Sequence, residues 1–169
     1  MEIIIREATP SDAEQLIAYV QRLSEEPESN IELSPSEFTL TVPDEQEILL
    51  DYALSENSVY LVAVDGDKII GVLNCRGRNR QAVRHVTTLG MSVDRMWRGK
   101  GIGSQLMARA IQWARSTGIV SRIELLVFER NETAVHLYRK FGFEIEGLRR
   151  KAIFRDGEYL DDLMMALLL

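Results

Sequence analysis

Cysteine is almost missing from this chain. Cys75 stands alone among 169 residues, so no intrachain disulfide can form. There are two histidines, and they show no metal-ligand spacing. Cys75 sits in the apolar run "KIIGVLNC", where a buried core thiol is the plain reading and a nucleophile the alternative. No excess of basic residues exists: the formal charge is −6, which argues against nonspecific nucleic-acid binding. The same charge favours a cationic partner. No window approaches eighteen apolar residues, so no membrane-spanning helix is expected. "MEIIIREATP" lacks the basic and apolar regions of a signal peptide, and a cytoplasmic location is the expectation. Internal repeats and low-complexity tracts are also lacking.

What is present suits one domain with a real core: 46% hydrophobic and 27% charged residues. "EIIIREAT" predicts a first strand. "TPSDAEQLIAYVQRLSEE" predicts a helix capped by Thr9 or Ser11, with Leu16, Ile17, Val20 and Leu23 at helical spacing. "EPESNIELSPSEFTLTVP" carries three prolines and reads as a mobile loop suited to binding. A second helix follows in "DEQEILLDYALSE", with Asp44 as its expected N-cap. "SVYLVAVDGDKIIGVLNCRG" predicts a hairpin, its Asp65-Gly66 dipeptide suiting a type I′ turn. "RHVTTLGMSV" is a further strand. A glycine-rich segment and helix then run to about Gly118, and "SRIELLVFE" is another strand. "NETAVHLYRKFG" predicts a helix capped by Asn131 and ended by Gly142. The chain closes with two strands around Asp156-Gly157. The order is β-α-α-β-β-β-α-β-α-β-β. It implies an α/β fold with one mixed sheet of about seven strands and helices on both faces, in a single domain spanning residues 1–169.

The chemistry concentrates at "RGKGIGSQLMARAIQWA", residues 98–114. A helix N-terminus presents unpaired N–H groups and a partial positive charge. Gly99, Gly101 and Gly103 would let a phosphate approach those amides, and Arg98 and Lys100 add charge. A ligand-free turn is the bland alternative. A Walker-type loop does not fit, because Lys100 precedes Gly101 and no G-x-x-x-x-G-K-[ST] string exists. A dinucleotide fingerprint fits poorly: counted from Gly99, its final position holds Ser104, and "DRMWR" separates the glycines from the strand. Glu129 could mimic the ribose-binding acid, which keeps an oxidoreductase as a remote alternative.

Arg98-Gly99-Lys100-Gly101-Ile102-Gly103 matches [RQ]-x-x-G-x-[GA]. Downstream, Asn131, Ala134, Leu137, Tyr138, Gly142 and Phe143 match N-x-x-A-x-x-[LF]-Y-x-x-x-G-F. With these two segments the chain resembles the GNAT N-acetyltransferase superfamily over essentially its whole length. The resemblance implies acetyl-CoA as acyl donor and a primary amine as acceptor, with no metal. The acceptor could be a small-molecule amine, an amino acid, a polyamine or a protein N-terminus. It also implies that Met91, Ser92 and Val93 face the pantetheine arm, with the Val93 amide meeting the thioester carbonyl. The Arg98–Ser104 backbone, Ile102 included, would hold the pyrophosphate. Asn131, Ala134 and Leu137 would flank the pantetheine, and Tyr138 would act as general acid toward the departing thiolate.

The base is where the chain departs from the family. Relatives commonly carry glutamate five residues before Asn131, and here that position is Leu126. Glu124, two residues earlier on the same side of the strand, is a candidate, and Glu32 in the predicted loop is a second. A base matters most for a lysine-like ammonium, which costs about 4.6 kcal/mol to deprotonate at pH 7, against about 1 kcal/mol for an α-amine. Glu25, Glu26, Glu28 and Glu32 could attract a cation or simply be solvated surface. The C-terminal stretch "GLRRKAIFRDGEYLDDLMMALLL" resembles the ribosomal-protein N-terminal acetyltransferase-like branch. A noncatalytic CoA-binding module on the same fold is the alternative to an enzyme. The apolar "LMMALLL" tail fits a homodimer contact or a buried strand.

Overall fold

A computed structural model describes residues 3–27 and 30–169. It has seven strands and four α-helices in the expected order. β1 (Ile3–Glu7) is followed by α1 (Ala13–Ser24) and α2 (Val42–Leu54). β2 (Val59–Asp65), β3 (Lys68–Gly77) and β4 (Val86–Val93) form an antiparallel run. α3 (Ile102–Ser116), β5 (Arg122–Phe128), α4 (Glu132–Lys140), β6 (Glu144–Arg155) and β7 (Glu158–Leu168) complete the chain.

All seven strands join one sheet in the order β1-β2-β3-β4-β5-β7-β6. Period-two alternation in β2 feeds two cores, as a strand buried on both faces must. Leu61 and Ala63 face a large cluster with Ile102, Leu106 and Ala110 of α3. Val62 and Val64 face a smaller one with Leu16, Tyr19 and Leu23 of α1. β7 lies between β5 and β6, so the "LMMALLL" tail is a paired inner strand.

Two local details differ from expectation. Thr41, not Asp44, caps α2: the Thr41 N–H donates to the Asp44 carboxylate at 2.8 Å, and Pro43 lies in the first turn. Proline fits there because no intrahelical N–H is needed, so the helix starts earlier than its charged residues suggest. In the β2–β3 hairpin Gly66 has φ +58°, while Asp67 stays at negative φ. A type I′ turn needs positive φ at both central residues and is therefore excluded there. It is the β6–β7 turn that places both central residues at positive φ, with Asp156 at +51° and Gly157 at +81°.

The feature that positions the site is a break in the sheet. β4 and β5 are parallel neighbours through three pairs only: Val86–Arg122, Thr87–Ile123 and Thr88–Glu124. Beyond Thr88 the strands part, and the C-terminal half of β4 faces a gap.

Candidate active site

The gap opens into a cleft of about 930 Å³. Its walls come from β4, the 98–104 turn, β5, α4 and the segment Asn30–Leu33. Register explains what β4 offers it. The Asp94 N–H donates to the Ile70 carbonyl at 2.8 Å, and Gly71 stands opposite Val93. In an antiparallel ladder hydrogen-bonded and non-bonded pairs alternate. Gly71–Val93 is thus a non-bonded pair, and the Val93 N–H points away from β3 into the gap. Met91, two residues back, has the same orientation. Arg98 Nε donates to the Val93 carbonyl at 2.9 Å, fixing this strand end. Ser92 lies on the cleft wall, but its hydroxyl meets the buried Tyr19 hydroxyl at 3.0 Å.

At one end stands the N-terminus of α3. Gly99 and Gly101 take φ +75° and +80°, a region that side chains resist. Gly101 is the N-cap and no side chain caps the helix, so the first-turn N–H groups of Ile102, Gly103 and Ser104 have no intrahelical partner. Gly103 meets the other requirement, close approach: a Cβ there would lie 3.2 Å from Leu137 Cδ2. This bare, positively polarised turn fits a pyrophosphate. His136 and Lys140, one turn apart on α4, line the same cleft. Lys100 instead lays its ammonium over the Trp97 ring at 4.6 Å. Arg98 Nη2 pairs with Glu26 at 2.5 Å, linking the chain just after α1 to the glycine-rich turn.

On α4 the expected residues line the cleft together. Asn131 caps the helix, its side-chain oxygen accepting from the Ala134 N–H at 3.3 Å. Ala134, Leu137 and Tyr138 follow along the wall. Tyr138 is 5% exposed, its ring packs against Phe143, and burial pushes its phenol up to about 12. No described residue accepts its hydroxyl hydrogen bond.

Glu124 is not brought to the cleft. It lies where β4 and β5 are still paired, and Arg78 (2.7 Å) and Arg122 (3.1 Å) hold it in ion pairs. Glu32 does line the cleft, and Glu28 falls outside the described residues. Cys75 is fully buried, and burial pushes its thiol up to about 12, as suits a core residue. Sequence reading missed His136, Lys140 and Asp162. The i, i+4 spacing of the first two was visible, whereas Asp162 reaches the cleft only because β7 pairs beside β5.

Among the described residues no cluster suits a metal ion, and no helix is long and apolar enough to cross a membrane. Residues 21–143 match the acetyltransferase (GNAT) family. The chain is 33% identical to the L-amino acid N-acetyltransferase AaaT of Escherichia coli (strain K12), over 98% of this chain and 97% of that one. It is 31% identical to the ribosomal protein uS5-alanine N-acetyltransferase of the same organism, over 61% of this chain and 53% of that protein. The crystal structure of a GNAT-family acetyltransferase from Streptococcus pneumoniae superposes with a TM-score of 0.95. It is 36% identical, and the match covers 99% of this chain and all of that one. A split sheet with a bare helix N-terminus at one end of the cleft, joined to these likenesses, places the chain in the acetyltransferase (GNAT) family.

Proposed function

We propose that the protein transfers an acetyl group directly from acetyl-CoA to a primary amine of a small molecule, with amino acids the favoured acceptor class. The reading is carried by one observation: the break between β4 and β5 aims a free Val93 N–H into a cleft lined by the α3 N-terminus and Tyr138. The likeness to an L-amino acid N-acetyltransferase over nearly the full length of both chains supports the acceptor class.

The residues divide the work. The turn from Arg98 to Ser104 holds the donor's pyrophosphate through backbone N–H groups, with His136 and Lys140 adding positive charge. Met91 and Asn131 line the pantetheine path from opposite walls. The Val93 N–H donates to the thioester oxygen and strengthens that bond as negative charge develops there during amine attack. The carbon–sulfur bond then breaks, and Tyr138 meets the departing thiolate.

The raised phenol changes the role that spacing suggests for Tyr138. Complete proton transfer from a group at about 12 to a thiolate whose conjugate acid lies near 8.5 is uphill by about 5 kcal/mol. Tyr138 therefore keeps its proton and stabilises the thiolate by hydrogen bonding. A peptide-like α-amine loses its proton to solvent at a cost of about 1 kcal/mol at pH 7. In a free amino acid the neighbouring carboxylate stabilises the ammonium and raises that cost, so this acceptor class must be deprotonated by solvent or a cleft carboxylate before attack. Glu32 lies on the wall where it can draw in the ammonium form. Release of free thiol from acetyl-CoA across a panel of amines tests the proposal, and absence of release with every amine would reject it.

A further inference from the structure

Asp162 and Arg149 form an ion pair that the transfer chemistry does not use. Their place follows from register. Asp162 pairs with Phe128 on one side and Arg149 on the other, and Leu126 pairs with Met164. Alternation puts these residues on one face of the sheet, opposite α3 and α4, because Leu125, Val127, Leu163 and Met165 fill the core on that other side. On the proposed reading the donor's pyrophosphate turn belongs to α3, which leaves the opposite face free for an acceptor. Leu126, 41% exposed, and Asp162 both line the cleft.

The pair is asymmetric. Asp162 is 1% exposed and acts as an anchor, while the Arg149 side chain is 45% exposed. Arg149 Nε donates to Asp162 Oδ1 at 2.7 Å and Nη2 donates to Oδ2. One edge of the guanidinium is thereby consumed. The Nη1–Nη2 edge is free to donate to a second carboxylate in the same planar geometry, and no described residue occupies Nη1. The backbone supports this placement. Immediately after Arg149 the β6 register breaks, and Lys151 takes φ +52°, held by its N–H to Asp161 Oδ1 at 2.7 Å. A bulge of this kind bends a strand and re-aims its side chains. The bent hairpin reaches the Asn30–Leu33 segment, where Arg155 donates to the Ile31 carbonyl and Arg130 Nε to Asn30 Oδ1 at 3.4 Å. Glu32 of that segment is near enough to add to the raised proton affinity of Arg149, which comes first from Asp162.

We infer that Arg149 is the specificity residue for the acceptor: its free edge binds the α-carboxylate of a free amino acid. Asp162 is the positioning residue that fixes the guanidinium, and Glu32 attracts the α-ammonium. Leu126 and Ile31 give an apolar side chain a dry wall. A polyamine finds no carboxylate partner for Arg149 and brings additional positive charge toward it. The inference rests on the amine-transfer reading above.

The experiment compares L-leucine with L-leucinamide as acceptors, which differ in the carboxylate. The quantity followed is the ratio of their kcat/KM values in each protein, so that the differing basicity of the two amines cancels between wild type and variant. Arg149→Met lowers the ratio at least tenfold, and Arg149→Lys, which keeps the charge but loses the planar fork, lowers it as well. Asp162→Asn lowers it through loss of the anchor. Affinity for acetyl-CoA, measured by calorimetry, stays at the wild-type value throughout, and melting temperatures identify any variant that is unfolded. An ion pair that only secures the hairpin would reduce both acceptors alike, and a ratio unchanged in folded Arg149→Met or Arg149→Lys overturns the inference while leaving amine transfer standing. A wild-type protein that acetylates neither compound nor any other amine overturns both.

Discussion

Replacing Tyr138 with phenylalanine removes one oxygen from the cleft wall and leaves the ring against Phe143. Its phenol lies at about 12 because burial disfavours the phenolate. On the proposed mechanism Tyr138 therefore acts through a hydrogen bond to the leaving thiolate. A hydrogen bond to a charged group contributes about 1.5–3 kcal/mol, so Tyr138→Phe should lower kcat by roughly 10- to 150-fold. The acetyl-CoA dissociation constant should hold within about twofold, because the charge appears only as the bond breaks. A wild-type rate limited by this step should also show no alkaline loss near pH 10, where an ordinary tyrosine ionises. Thiol release from acetyl-CoA at saturating acceptor, followed from pH 7 to 10.5, measures both effects. Retention of kcat within twofold in Tyr138→Phe would refute the role. A wild-type fall centred near pH 10 that the variant lacks would refute the argument that burial keeps the phenol protonated.

Gly101→Asp places a side chain at φ +80° and a negative charge on the first-turn amides of α3, and should weaken acetyl-CoA binding at least a hundredfold by calorimetry. Leu106→Ala empties a fully buried site against β2 and β3 and should cost about 2–5 kcal/mol in urea unfolding. Stability should fall above about pH 9. The native Cys75 thiol and Tyr138 phenol are raised to about 12, and the buried Tyr19 and Tyr60 are raised further. The unfolded chain therefore releases these protons first, from about pH 9 for the thiol and about 10 for the phenols. A urea midpoint equal at pH 8 and pH 10.5 would contradict this.

The order of strands and helices was legible because each element carries its own period and its own punctuation. Asn131 as a cap and Gly142 at positive φ are local facts, and local sequence states them. The glycine-rich turn was legible for the same reason, since Gly99 and Gly101 answer a backbone demand within one turn. The cap of α2 was misplaced because Thr41 and Asp44 share it reciprocally, and the acid looked the stronger candidate. Glu124 was placed on the correct face of its strand, but alternation does not report how far the neighbouring strand stays paired. β4 remains alongside β5 through Thr88, and two arginines hold Glu124 there.

The sequence by itself therefore determined the proposed donor side: a glycine-rich helix start and a second helix carrying Asn131 and Tyr138. Only the tertiary structure brings together the residues of the proposed acceptor side. Asp162 is more than thirty positions from Leu126, yet strand pairing sets it beside Phe128 and across from Arg149. Glu32 joins them because Arg155 of the hairpin and Arg130 of the β5–α4 turn hold its segment in place. A backbone cradle is written in consecutive residues, whereas a cleft wall drawn from β5, β7 and a loop exists only once long-range register is fixed.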